Sequence, residues 1–187
     1  ITYAQQRILI FSKTTGFRHQ SIEHGVETVK KLATHIQVEV DHSEDSALFT
    51  DSILSKYGAV VFLSTTGDLF NEEQRNALVK FIKSGKGFLG IHAASDTEYK
   101  WPWYGQLVGG YFASHPAVQE AKINVLNNKH LSTSHLPKVW FHQDEWYDFK
   151  SLKTKGLHIL MELDESSYKG GKMGKFHPIA WFQQFDG

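Results

Sequence analysis

The chain alternates short apolar runs with stretches of helical period. "RILIF" (7–11) is a continuous apolar run between polar residues and predicts a buried strand. Beyond the polar loop "SKTTGFRHQ", Ile22, Val26, Val29 and Leu32 recur at spacings of three and four, which predicts a helix with Ser21 at its N-cap. "IQVEVD" (36–41) alternates apolar and polar, as a strand near a sheet edge does. "DSILSKY" fits one or two helical turns, and "GAVVFLST" (58–65) another buried strand. "NEEQRNALVKFIKSG" carries a full helix grammar. Asn71 stands at the cap with Gln74 three residues on, acids fill the first turn, lysines the last, and Gly85 follows. Leu78, Phe81 and Ile82 mark its inner face. "GFLGI" (87–91) reads as the most buried strand of all, yet His92 sits where it should stop.

Strands alternating with helices predict an α/β fold with a parallel sheet. Right-handed crossovers make it flavodoxin-like: a doubly wound, mainly parallel sheet with helices on both faces. The second half is less regular. "WPWYGQLVGGYF" suggests a short helix and a turn, while "AKINVLN" (121–127), "LHILMELD" (157–164) and "HPIAWFQQF" (177–185) suggest strands. With no repeat and no linker, residues 1–187 are expected to form one domain. The sequence stops at "FQQFDG", just after a strand with no turn to close it, so the domain is expected to be truncated or to continue.

Composition narrows the function. Twenty basic and twenty acidic residues cancel, which argues against a nucleic-acid partner. No apolar run approaches the roughly 20 residues of a membrane span. The absence of cysteine excludes disulfides, thiolate metal sites and a cysteine nucleophile. No nucleotide or flavin is expected. The opening "ITYAQQR" fits the scar of a cleaved export signal, hence an extracytoplasmic protein, and equally an ordinary ragged terminus of a cytoplasmic one. Eleven histidines are available as acids, bases or metal ligands, and 13 Phe, 7 Tyr and 5 Trp as core or as platforms for sugar rings.

In open α/β sheets ligands bind beyond the carboxyl ends of the strands. That rule gathers Arg18 and His19 after the first strand, Asp68 after the third, and His92 and Asp96 after the fourth. His92, followed by Ala93, Ala94 and Ser95, resembles the occupant of a nucleophile elbow. A structural histidine at a loop start is the plain alternative. Arg18 could hold a carboxylate or sugar hydroxyls, or be one half of a solvated pair with His19. Pro116 forces His115 to be extended, which can turn it inward or leave it a turn residue. In "WFHQDEWYDF" (140–149), His142, Asp144, Glu145 and Asp148 lie among aromatics that can poise a carboxyl near neutrality; an ordinary amphipathic strand fits as well. Trp101 and Trp103 could be sugar platforms or lid packing. Several histidines with a carboxylate could hold zinc or a similar divalent ion, although no HExxH spacing is present.

"GFRHQSIEHG", "GFLGIHAASDT", "GGYFASHP", "DEWYDF" and "HPIAW" together resemble the trehalose-utilisation, ThuA-like family, in the same order along the chain. The resemblance implies a class I glutamine amidotransferase-like fold, with His92 where amidotransferases of that fold carry cysteine. Thiol-dependent glutamine hydrolysis is thereby excluded. It also implies carbohydrate catabolism, of trehalose-like disaccharides and their 3-keto derivatives, and places motif positions on His19, His92, His115 and Glu145. The expected protein is thus a carbohydrate-active enzyme. His92, Glu145 and His19 would be catalytic. Arg18, Asp68, Asp96, Trp101 and His142 would bind a small carbohydrate, and His19, His92 and His115 could hold a divalent metal. The alternatives are a non-catalytic sugar-binding module of a larger secreted protein and a degenerate amidotransferase serving as a scaffold. ThuA-like domains usually run on into another strand and a Gly-His turn that this sequence does not contain.

Overall fold

The computed structural model describes residues 6–186. They fall into two compact units. One comprises residues 6–108 with 185–186; the other is Gly109–Gln184.

In the first unit, β1 (Arg7–Phe11), β2 (Glu39–Ser43), β3 (Ala59–Leu63) and β4 (Gly87–Ile91) form a parallel sheet in the order β2-β1-β3-β4. The helices are α1 (Ile22–His35), α2 (Asp51–Leu54), α3 (Glu72–Lys83) and α4 (Pro102–Val108). Side chains alternate across the sheet. Ile10, Val61 and Leu63 pack with Ile22 and Val26 of α1. Phe11 and Phe62, on the opposite face, meet Phe49 and Phe70, and Phe62 also meets Phe88 and Tyr104 of α4. The sheet is therefore covered on both faces, and the α/β, flavodoxin-like reading holds.

Three local expectations change. The strand expected at 36–41 is β2, shifted to 39–43. Helix α1 runs to His35, and Ile36 and Val38 both return N–H bonds to the Ala33 carbonyl, with Gln37 left-handed at φ 56°. That turn uses up the first residues of the predicted strand. Ser21 has helical dihedrals and makes no side-chain cap bond. Strand β4 is an edge strand, not the most buried one: Leu89 is 51% exposed. An apolar run matches a buried strand and an edge strand alike. The α3 grammar holds in full, with Asn71 and Gln74 forming a reciprocal capping box and Gly85 at φ 79° after the last turn.

The second unit is antiparallel. β6 (Gln119–Val125), β7 (Val139–Asp144), β9 (His158–Asp164) and β10 (Pro178–Phe182) form a sheet in the order β10-β9-β6-β7. β5 (Tyr111–Ser114) and β8 (Asp148–Lys150) pair separately. Its core is Ala121, Ile123, Trp146 and Leu163, flanked by Trp140, Met161 and Ile179. Among the described residues no helix is long and apolar enough to cross a membrane.

Candidate functional site

The strand order of the first unit reverses between β1 and β3, the switch point at which such sheets leave a crevice. The loops that follow β1, β3 and β4 are sewn together there. Thr14 bridges Thr66, and Gly67 bridges Thr97. The hydroxyls of Thr65 and Thr97 lie 2.9 Å apart. The fully buried carboxylate of Glu98 accepts N–H bonds from Leu69 (2.7 Å) and Phe70 (2.9 Å) and a two-pronged bond from Arg75 (3.0 and 2.6 Å). Loops fixed in this way present their side chains on a stiff base.

His92 opens the turn after β4 at φ 53°, a left-handed conformation that side chains rarely adopt. A helical turn, residues 92–96, starts at once. The turn is tight: a Cβ on Gly90 would lie 3.1 Å from the Ala94 Cβ. Ser64 and Glu98, in the neighbouring rim loops, are left-handed as well. Strain gathered at one rim is the signature of a held site. His19, only 9% exposed, meets the half-buried His92 edge to face with ring centroids 4.6 Å apart. Phe17 closes on the other side of His19 at 4.9 Å. Each neutral imidazole carries one lone pair and one N–H, so the pair holds both a base and a donor.

The other rim residues are placed as follows. Arg18 is bound by Glu23 (2.7 Å) and Glu44 (2.9 Å), which raise its pKa through hydrogen bonds, Glu23 first. Asp68 faces Lys100 at 3.4 Å and is exposed. Asp96 accepts a short bond from the Tyr99 hydroxyl, and its carbonyl accepts the Gly67 N–H. Trp101 is half-buried, stacked on Trp103 (5.1 Å) and Tyr104 (6.0 Å) with the Arg75 guanidinium over its ring. One rim feature escaped the sequence: the His42 Nε2 lies 2.7 Å from the Ser12 hydroxyl. Burial lowers the His42 pKa, with Glu44 opposing. Ser12 has no exposure.

The second unit holds the remaining candidates. His142 is exposed on β7 beside Trp140. His115 Nδ1 lies 2.7 Å from the Pro116 carbonyl, which can only accept, so Nδ1 carries the proton. In the neutral ring the lone pair is then on Nε2, which faces the Glu145 carboxylate at 3.9 Å. His115 also stacks on Tyr147 at 5.7 Å. The structure thus brings His19 to His92 in one unit and His115 to Glu145 in the other.

A third group was missed: Asp148, Glu165 and His177, whose ligand atoms lie within 4.8 Å of one another. "DEWYDF" and "HPIAW" drew attention to two of them without a role, while Glu165 in "ELDESS" gives no signal, since nothing in its spacing separates it from a solvated acid.

The family model for ThuA, trehalose utilisation, matches residues 7–187. The chain belongs to the ThuA family. Two ThuA-like crystal structures are similar to it. One, from Bacteroides uniformis, is 23% identical with a TM-score of 0.80, covering 98% of this chain and 81% of that one. The other, from Parabacteroides merdae, is 19% identical with a TM-score of 0.77, covering 98% and 76%. PurLQS from Thermotoga maritima is 10% identical at a TM-score of 0.52 over 88% of this chain and 77% of that one, a likeness of fold alone. No curated protein matches the chain. The resemblance in the five motifs and the amidotransferase-like α/β fold are therefore both upheld.

Proposed function

We propose that this ThuA protein is a carbohydrate-active enzyme that eliminates the glycosidic group from a 3-keto-glycoside of a trehalose-like disaccharide. The observation that carries the reading is the His19–His92 contact on the strained turn after β4. A ketone at C3 acidifies the C2–H bond. A neutral imidazole removes that proton, the electron pair forms the C1–C2 double bond, and the C1–O bond breaks with its electrons going to the departing oxygen. The second imidazole's N–H supplies the proton that oxygen takes up. Water then adds across the double bond. No oxocarbenium ion is needed, which suits a site whose chemistry is imidazole rather than a pair of carboxylates.

A divalent ion is the alternative use of the same two imidazoles, whose lone pairs cannot both ligate a cation and take up the C2 proton; two imidazole nitrogens suit a borderline cation such as zinc. Such an ion would polarise the ketone. His115 and Glu145 form a second pair that can share one proton between Nε2 and the carboxylate; Glu145→Gln tests it in its own right and should lower turnover. Trp101 is engaged by Trp103, Tyr104 and Arg75, so sugar binding is assigned to the rim rather than to an open tryptophan face.

Incubation with a 3-keto-disaccharide and its unoxidised parent in D2O tests the reading. The expected result is cleavage of the keto sugar alone, with deuterium at C2 of the product. Equal cleavage of the parent, or a product free of deuterium, would overturn it.

A further inference from the structure

We infer that Asp148, Glu165 and His177 form a buried divalent-cation site in the second unit, independent of the activity proposed above. His177 has no exposure and Asp148 is 2% exposed. His177 Nε2 lies 2.9 Å from the Tyr147 carbonyl, an acceptor only, so Nε2 carries a proton. In the neutral ring the lone pair is then on Nδ1, which faces Glu165 Oε1 at 2.7 Å. A lone pair opposite a carboxylate oxygen at that distance is repulsive; 2.7 Å is the separation of a hydrogen bond with a proton between the two atoms, and a divalent ion held by both would part them to about 3 Å. Tyr168, with its hydroxyl 3.1 Å from the same nitrogen, can give its one proton to Nδ1 without relieving the opposition between Nδ1 and Oε1.

Two cations could serve. A proton on Nδ1 neutralises Glu165 and leaves Asp148 as an uncompensated buried charge, which is costly. Asp148 accepts from the Ser114 hydroxyl (3.1 Å), which in turn accepts from the exposed Lys172 ammonium (3.0 Å). A divalent ion with neutral His177 balances both carboxylates. One imidazole and two carboxylates suit zinc, manganese or ferrous iron.

The surroundings are those of a metal centre whose ligands are held from behind. Asp148 accepts the Lys172 N–H (2.7 Å), and Glu165 accepts the N–H groups of Met173 (2.7 Å) and Gly174 (2.9 Å). The loop giving these donors, "YKGGKMGKF" (168–176), has left-handed glycines at 170 and 174. A Cβ on Gly171 would come within 2.7 Å of the Glu165 carboxyl carbon. The backbone is thus drawn around the three side chains as a cover that could admit an ion.

The test is metal analysis and thermal unfolding of the chelator-treated full chain with Zn2+ and Mn2+, for the wild type, Asp148→Asn, His177→Gln and His92→Ala. Expected are a rise in Tm of the wild type on adding the ion and, in His92→Ala, retention of that rise together with the equivalent that Asp148→Asn loses. Asp148→Asn keeps its shape and hydrogen-bond acceptor and should weaken binding by more than about 100-fold. If His177→Gln fails to fold, Asp148→Asn alone carries the comparison. No uptake at this group with an unmoved wild-type Tm would overturn the inference, as would metal lost only in His92→Ala. So would nitrogen NMR showing both ring nitrogens of His177 protonated in the ion-saturated protein.

Discussion

At the residue scale, the chemistry rests on side chains held where the backbone would rather not put them. His92 at φ 53° stores about 1 to 3 kcal/mol that glycine would not. His92→Gly should therefore raise the stability read from urea unfolding by about 1 kcal/mol, while removing turnover. A variant that is both less stable and fully active would remove strain from the account. Glu98 is the opposite case. Its buried carboxylate serves two loop N–H groups and Arg75, so Glu98→Gln should cost about 3 kcal/mol. Tyr57 gives a pH test. Burial first, and its hydrogen bond to Asp41 second, push the phenol from 10.0 up to about 12. The raised pKa means that the protonated phenol favours the fold. This stability is complete below pH 10 and fades as pH rises through about 12. Tyr57→Phe should show a flatter stability profile across that window than the wild type. His92 itself was legible because a histidine ending an apolar strand is conspicuous. Its partner was legible only through the rule that ligands gather at strand ends.

At the element scale, what is written locally was readable and what is decided by neighbours was not. The α3 cap needs only Asn71, Gln74 and their own backbone, and the capping box is present in full. Asn71→Ala should therefore lower stability by about 1 kcal/mol at unchanged denaturant slope. Ser21→Ala should be near neutral, because Ser21 makes no side-chain cap bond. If the two substitutions proved equally costly, the distinction between the two caps would be wrong. The place of β4 at the sheet edge depends on which strands lie beside it, and no periodicity within "GFLGI" carries that information. The start of β2 was displaced for a similar reason: the turn that ends α1 takes its residues first.

At the scale of the molecule, the first unit was read in order from strand and helix alternation. The second unit was only glimpsed, because antiparallel strands of mixed polarity leave a weaker pattern. β6, β9 and β10 were foreseen, but β5, β7 and β8 were not, nor the strand order or the two separate sheets. Sites that no rule of sheet topology gathers fare worst. Asp148, Glu165 and His177 become neighbours only through folding, whereas His19 and His92 could be placed together from sheet topology alone. The ThuA family match accounts for why the five motifs occur together; it does not assign the reaction. The reaction is best tested at one position. With a 3-keto-disaccharide as substrate, His92→Ala should lose at least about 100-fold in kcat/KM while its circular dichroism and unfolding midpoint show an intact fold. A folded His92→Ala protein that turns the keto sugar over as fast as the wild type would contradict the account.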